Sequence, residues 1–216
     1  MQQIAVCSAA FGDVKYLWRM ERFKETLLNT NPDVRLFDWV DRMPDGARPF
    51  KESMYGFKPH AIKIARDNGF KKIFWIDSTC VIQDKLSYYI PIAAEYKGVL
   101  AVQDDNKLTG FCSNNALKFI GKTREYLKDK HLVGGSLYYF DFDVPGCDQI
   151  FNRWMEAEQQ GIFGSLYEEV SERLQGHRSD ETMMSLFLYE AGSRPFTGAT
   201  RYNWAEGGVV QKMHFK

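Results

Sequence analysis

Lys71-Lys72-Ile73-Phe74-Trp75-Ile76-Asp77-Ser78-Thr79 is the stretch on which the fold turns. Four consecutive apolar residues, Ile73 to Ile76, predict a strand buried on both faces, as in the middle of a parallel sheet. The run ends in a carboxylate, Asp77, followed by two hydroxyl residues. Upstream, Pro59 fits the first turn of a helix with Ala61, Ile62 and Ala65 on its core face, and Gly69 is placed to stop it. Residues 42–54 are rich in Pro, Gly and charge and read as a loop, preceded by a strand over Val34–Val40. Asn31-Pro32 ends an earlier helix with apolar positions at Val14, Leu17, Trp18, Met20, Phe23 and Leu27, which Asp13 can cap. Ile4–Ser8 is the first strand and runs into Ala9-Ala10-Phe11-Gly12. Downstream, the pattern predicts a helix over Leu86–Tyr96, a strand over Val99–Gln103, a helix over Asn115–Lys128 and a strand over Leu132–Phe142. Helices follow at 146–160, 165–174 and 180–191, then an extended tail over Val209–Phe215.

Strand and helix alternate through the first half, so the expectation is an α/β layered fold: one domain over 1–216 with a central, mostly parallel sheet flanked by helices. In such sheets ligands bind beyond the carboxyl ends of the strands, which is where Asp77 stands. The 28 basic and 28 acidic residues balance, which argues against a general nucleic-acid coat. No run approaches the ~18 apolar residues of a membrane span. The N-terminus has no positively charged leader, and Cys7, Cys80, Cys112 and Cys147 lack metal-type spacing, so they read as reduced thiols in a cytoplasmic protein.

Several residues can carry chemistry. Asp77 at a strand mouth must be solvated, paired or metal-bound, and it is read either as a ligand for Mg²⁺ or Mn²⁺ or as a cap on a neighbouring loop. Lys58, at a helix start, is either an exposed lysine or a cation aimed at an anion that the helix N-terminus also favours. In His177-Arg178-Ser179-Asp180-Glu181 the residues open a helix, with Ser179 as cap and two acids satisfying the dipole. Gly134-Gly135 marks a bulge, close packing or space for a ligand. Asp104-Asp105, after a strand, either faces the site or, the preferred reading, is a solvated loop, and Tyr202, Trp204 and Trp154 serve either as ring platforms or as packing.

Taken in order, these motifs resemble nucleotide-sugar glycosyltransferases of the GT-A fold. Phe74-Trp75-Ile76-Asp77-Ser78-Thr79 resembles their Asp-x-Asp region, with Thr79 in place of the second Asp. Gly56-Phe57-Lys58-Pro59-His60 is similar to the Lys-Pro helix start before that strand. Ala9-Ala10-Phe11-Gly12 looks like their first nucleotide-binding loop, and Lys212-Met213-His214-Phe215-Lys216 like a terminal His-Phe element.

The resemblance implies sugar transfer from a nucleoside diphosphate donor, by default a UDP-sugar, to a glycan or other hydroxyl acceptor. It implies donor contacts from Ala9, Ala10, Phe11, Lys58, Asp77, Ser78, Gly134, Gly135, Arg178 and Lys216. A Mn²⁺ or Mg²⁺ ion would sit on Asp77, Thr79 and His214. Asp180, or alternatively Glu181, would be the base of an inverting reaction, and the nucleobase would pack near Phe11 or Tyr16. A nucleotidyltransferase would carry a Gly-rich, basic first loop, but this loop has Gly12 alone and no Arg. A non-catalytic nucleotide- or sugar-binding module is the third reading, favoured by Thr79.

Overall fold

The structure is a computed structural model that describes residues 3–164 and 176–197, and the backbone of 202–205 and 208–211. The helix expected at 165–174 and the terminal residues His214 and Lys216 lie outside the described residues, as do the side chains of Tyr202 and Trp204. Strand β1 (Ile4–Ala10) leads to helix α1 (Val14–Thr30), β2 (Arg35–Val40), α2 (Phe57–Asp67) and β3 (Lys72–Ile76). A short α3 (Ile90–Ala93) lies between 3-10 turns, followed by β4 (Val99–Lys107), α4 (Asn114–Phe119), β5 (His131–Asp141), α5 (Cys147–Gln159) and α6 (Ser179–Glu190). A hairpin of β6 (Tyr202–Ala205) and β7 (Gly208–Gln211) follows, and only Val209–Gln211 of it falls in the tail expected to be extended.

Asp13 caps α1 as expected, its carboxylate accepting the Lys15 N–H at 2.9 Å. Two expected helices are broken. Pro91 lies in the 86–96 segment, which winds as 3-10 and α turns. The one expected over Asn115–Lys128 stops at Phe119, because Gly121 takes φ +64° and turns the chain.

The main sheet runs β2-β1-β3-β5-β4. β1 pairs in parallel with β2 and β3, whereas β5 runs antiparallel to both β3 and β4. Four strands therefore share one direction and β5 opposes them. Alternation along the strands divides the core between the two faces. Ile73 and Trp75 join α2, α5 and α6 on one face, while Phe74 and Ile76 join Met20, Phe23 and Leu27 of α1 on the other. Asp77, two residues beyond Trp75, therefore emerges on the α2/α6 face.

Candidate active site at the carboxyl end of the third strand

The Asp77 N–H bonds the Ser136 carbonyl at 2.9 Å, extending the β3–β5 ladder by one residue. Because the two strands are antiparallel, the end of β3 lies beside the beginning of β5, where Gly134 and Gly135 are buried. Trp75 shares a face with Asp77, and its indole N–H donates to Asp77 Oδ1 at 2.8 Å. About a third of the Asp77 side chain, 32%, remains exposed. Ser78 is buried, and the carbonyl of Thr79 accepts the Arg22 guanidinium at 3.1 Å.

Lys58 is neither exposed nor open to a ligand. Its ammonium donates to Asp180 Oδ2 at 2.7 Å and to the Gly135 carbonyl at 2.8 Å, and it lies 3.7 Å from Asp77 Oδ1. Both sequence-based roles for it, surface lysine and free diphosphate cation, give way to a buried hub. Burial alone would push this ammonium down, but the charges of Asp180 and Asp77 outweigh it and hold Lys58 well above its ordinary value.

Helix α6 delivers the two acids in different states. Asp180 is enclosed, with Oδ2 also accepting the Tyr138 hydroxyl at 3.0 Å, and burial raises its carboxyl despite Lys58. Glu181 Oε1 accepts the Gly135 N–H at 2.9 Å, and Oε2 lies 3.4 Å from Arg178. Burial and the neighbouring Asp180 charge push the Glu181 carboxyl up to about 7.

Ser179 does not cap this helix. Arg178 is the N-cap residue, and Thr182 bonds the Arg178 N–H through Oγ1 at 3.2 Å. Ser179 takes φ +29°, and its buried hydroxyl has no partner among the described residues.

Phe11 brings the first loop to the same end of the sheet, packing edge-on against Phe57 and Phe50. Ala9 is half-buried and Ala10 buried, while Tyr16 lies on the outer surface of α1 beside Lys15 and Arg19. Trp154 is fully buried, its indole N–H bonding the Asp180 carbonyl at 3.3 Å, so it is core and not a sugar platform. Asp104 and Asp105 lie within β4 and not in a loop, and Asp104 accepts the Asn106 N–H at 2.8 Å, away from the cluster. The four cysteines are buried, and none of them is in a disulfide. The sequence reading missed Trp75 and Tyr138 as polar members of the site. The period-2 relation of Trp75 to Asp77 was the available signal for the first; Tyr138 had none beyond its place in an apolar strand.

Three carboxylates, on Asp77, Asp180 and Glu181, thus meet two cations, Lys58 and Arg178; above about pH 7, where Glu181 is ionised, they leave one negative charge in excess. Of the three carboxylates, Asp77 keeps the most open side chain. Among the described residues no group of three His, Cys, Asp or Glu ligands assembles. Nor is any helix among them long and apolar enough to cross a membrane.

No family model and no curated protein matches the chain. Among solved structures it is similar to glycosyltransferases. One, involved in glycosylation of the major capsid of PBCV-1, is 10% identical over 81% of each chain, with a TM-score of 0.44. Another is the glycosyltransferase GlyE of Streptococcus pneumoniae TIGR4 in its apo form, 12% identical over 91% of this chain and 45% of that one, with a TM-score of 0.49. The galactosyltransferase LgtC, in complex with donor and acceptor sugar analogs, is 11% identical over 85% of this chain and 70% of its own, with a TM-score of 0.43. The chain spans less than half the length of GlyE. The chemistry of the site rests on its own side chains.

Proposed function

We propose that this chain transfers a sugar from a nucleoside diphosphate donor to a hydroxyl acceptor, with the donor diphosphate at Asp77. The observation that carries this reading is a part-open carboxylate at the end of the most buried strand, beside one buried ammonium and two further carboxylates. Such a cluster repels a bare diphosphate, so the reading includes a Mn²⁺ or Mg²⁺ ion held by Asp77 with Thr79 and His214. When bound, that ion would offset the charge on the departing diphosphate. Lys58 fixes Asp77 and Asp180 relative to each other, while Arg178, half-exposed beside Glu181, and Lys216 would meet phosphate oxygens. A UDP-sugar is the first donor to try.

Of the two acids, Glu181 suits the base of an inverting transfer better than Asp180. Asp180 Oδ2 is occupied by Lys58 and Tyr138, whereas the Glu181 side chain keeps 19% of its surface exposed. In the reaction the acceptor oxygen bonds the anomeric carbon and its proton passes to Glu181. The bond from that carbon to phosphate breaks, and its electron pair leaves with the diphosphate. Glu181 must be ionised to act, so the rate rises as pH passes through about 7.

The test is release of nucleoside diphosphate from a panel of nucleotide sugars between pH 5 and 9. Wild type is expected to show that rising limb, and Glu181→Gln to lose roughly 100-fold or more together with the limb. Unchanged turnover in Glu181→Gln would remove the base assignment.

A further inference from the structure

Five non-glycine residues among the described ones have positive φ, and two of them, Tyr55 and Ser179, flank the carboxylate cluster. Tyr55 is the only aromatic of the five, with φ +57°, a left-handed conformation that is an outlier for so bulky a side chain. Residues held this way tend to collect at ligand sites, where the surroundings enforce them. The Tyr55 ring lies over the Lys58 ammonium at 4.8 Å and against Phe50 and Phe57. Even so, Tyr55 is 38% exposed.

The loop that presents it is anchored from behind. Arg48 Nε bonds Glu158 Oε1 at 3.2 Å and a further guanidinium nitrogen bonds the Glu158 carbonyl, while His60 meets Glu158 Oε2 at 2.9 Å. A β-carbon on Gly56 would collide with Ser53 Oγ and Glu158 Oε1, so only glycine lets the chain after Tyr55 pass this close to them. A loop held by a buried carboxylate thus exposes one strained aromatic at the mouth of a carboxylate cluster. An apolar ring face beside hydrogen-bonding acids is the chemistry that recognises a pyranose, with its C–H groups on the ring and its hydroxyls on the acids.

We propose that Tyr55 is the stacking platform for the pyranose ring of the donor, an assignment that deepens the sugar-transfer reading and rests on it. The competing role is a lid that only shields Lys58. The two roles separate when dissociation constants for UDP and for UDP-glucose and UDP-galactose, with Mn²⁺, are measured on wild type, Tyr55→Phe, Tyr55→Ala and Tyr55→Gly, alongside their melting temperatures.

A platform predicts that Tyr55→Ala and Tyr55→Gly weaken a UDP-sugar about tenfold or more while UDP binding stays within about twofold, and that Tyr55→Phe retains sugar binding to within about threefold. It also predicts that Tyr55→Gly melts above Tyr55→Ala, since glycine relieves the backbone and alanine does not. Equal weakening of UDP and UDP-sugar, or no weakening, overturns the proposal. So does a fall in melting temperature with no change in the ratio of sugar to UDP affinity. Failure of wild type to bind any of these nucleotides removes uridine as the donor base and leaves the wider donor reading to the other nucleoside diphosphates. The platform is then judged by saturation-transfer NMR with methyl glucoside and methyl galactoside: signal lost in Tyr55→Gly supports it, and unchanged or absent signal overturns it.

Discussion

Gly135 shows how little room the site leaves at the scale of single residues. A β-carbon there would lie 2.9 Å from Asp180 Oδ2 and 3.0 Å from both Glu181 Oε1 and Lys58 Nζ. The glycine also contributes its N–H to Glu181 and its carbonyl to Lys58, so backbone and side chains interlock. Gly135→Ala is therefore expected to cost about 1–3 kcal/mol in chemical denaturation, because enclosed neighbours on strand and helix must move to admit the methyl. A cost near zero would mean that the cluster is looser than described.

Part of this was readable from residue types. Asp77, Lys58, Gly135, Asp180 and Glu181 were each singled out, and they converge on one place. What could not be read was which charge pairs with which. An exposed lysine and a buried one look alike in sequence, and only the fold brings Gly135 of β5 and Asp180 of α6 onto the Lys58 ammonium and encloses it.

Among the elements, the loop before α2 depends on a carboxylate far away in sequence. Glu158, near the end of α5, is 1% exposed and binds both Arg48 and His60. Burial would raise its carboxyl, but the hydrogen bond and charge of His60 and the charge of Arg48 outweigh this and leave it below its ordinary value. A lowered folded value makes a stabilising contribution above the unfolded value of 4.5, which is lost as pH falls through the lower folded value. Glu158→Gln should accordingly cost about 1–3 kcal/mol near neutral pH, a gap that shrinks toward zero in melts taken well below pH 4.5. A gap independent of pH would point to lost packing instead of lost charge.

On the opposite face, α1 holds the segment after Asp77 through a polar row. Arg22 bonds the Thr79 carbonyl, Thr26 and Thr30 bond Ile82, and Asn31 bonds Asp84 and Leu86. Residues four apart lie on one side of a helix, so Arg22, Thr26 and Thr30 were legible as a polar stripe, with Asn31 following at the C-cap. Its partner, an irregular 79–86 segment, was not, because no periodicity marks it.

For the molecule as a whole, the reversed strand is the decisive feature. The apolar run of β5 is buried on both sides, as a parallel strand would be, so its direction cannot be read from pattern. Running against β3, it places the Gly134-Gly135 start at the end of β3 and so completes the surroundings of Asp77. The layers and the order of elements were legible because strand and helix periods alternate cleanly over the first half. The central claim is that Asp77 holds the diphosphate end of a nucleotide donor. Its most direct test is a thermal-shift measurement with UDP, GDP, CDP and ADP, with and without Mn²⁺, on wild type and Asp77→Asn. At a hundredfold excess over its dissociation constant, a ligand adds about 2.7 kcal/mol of stability, or a rise of roughly 5–10 °C for a chain of this size. A rise of that order with one diphosphate, enhanced by Mn²⁺ and lost in Asp77→Asn, is the predicted result. No rise with any of the four in folded protein, or a rise that Asp77→Asn retains, would contradict it.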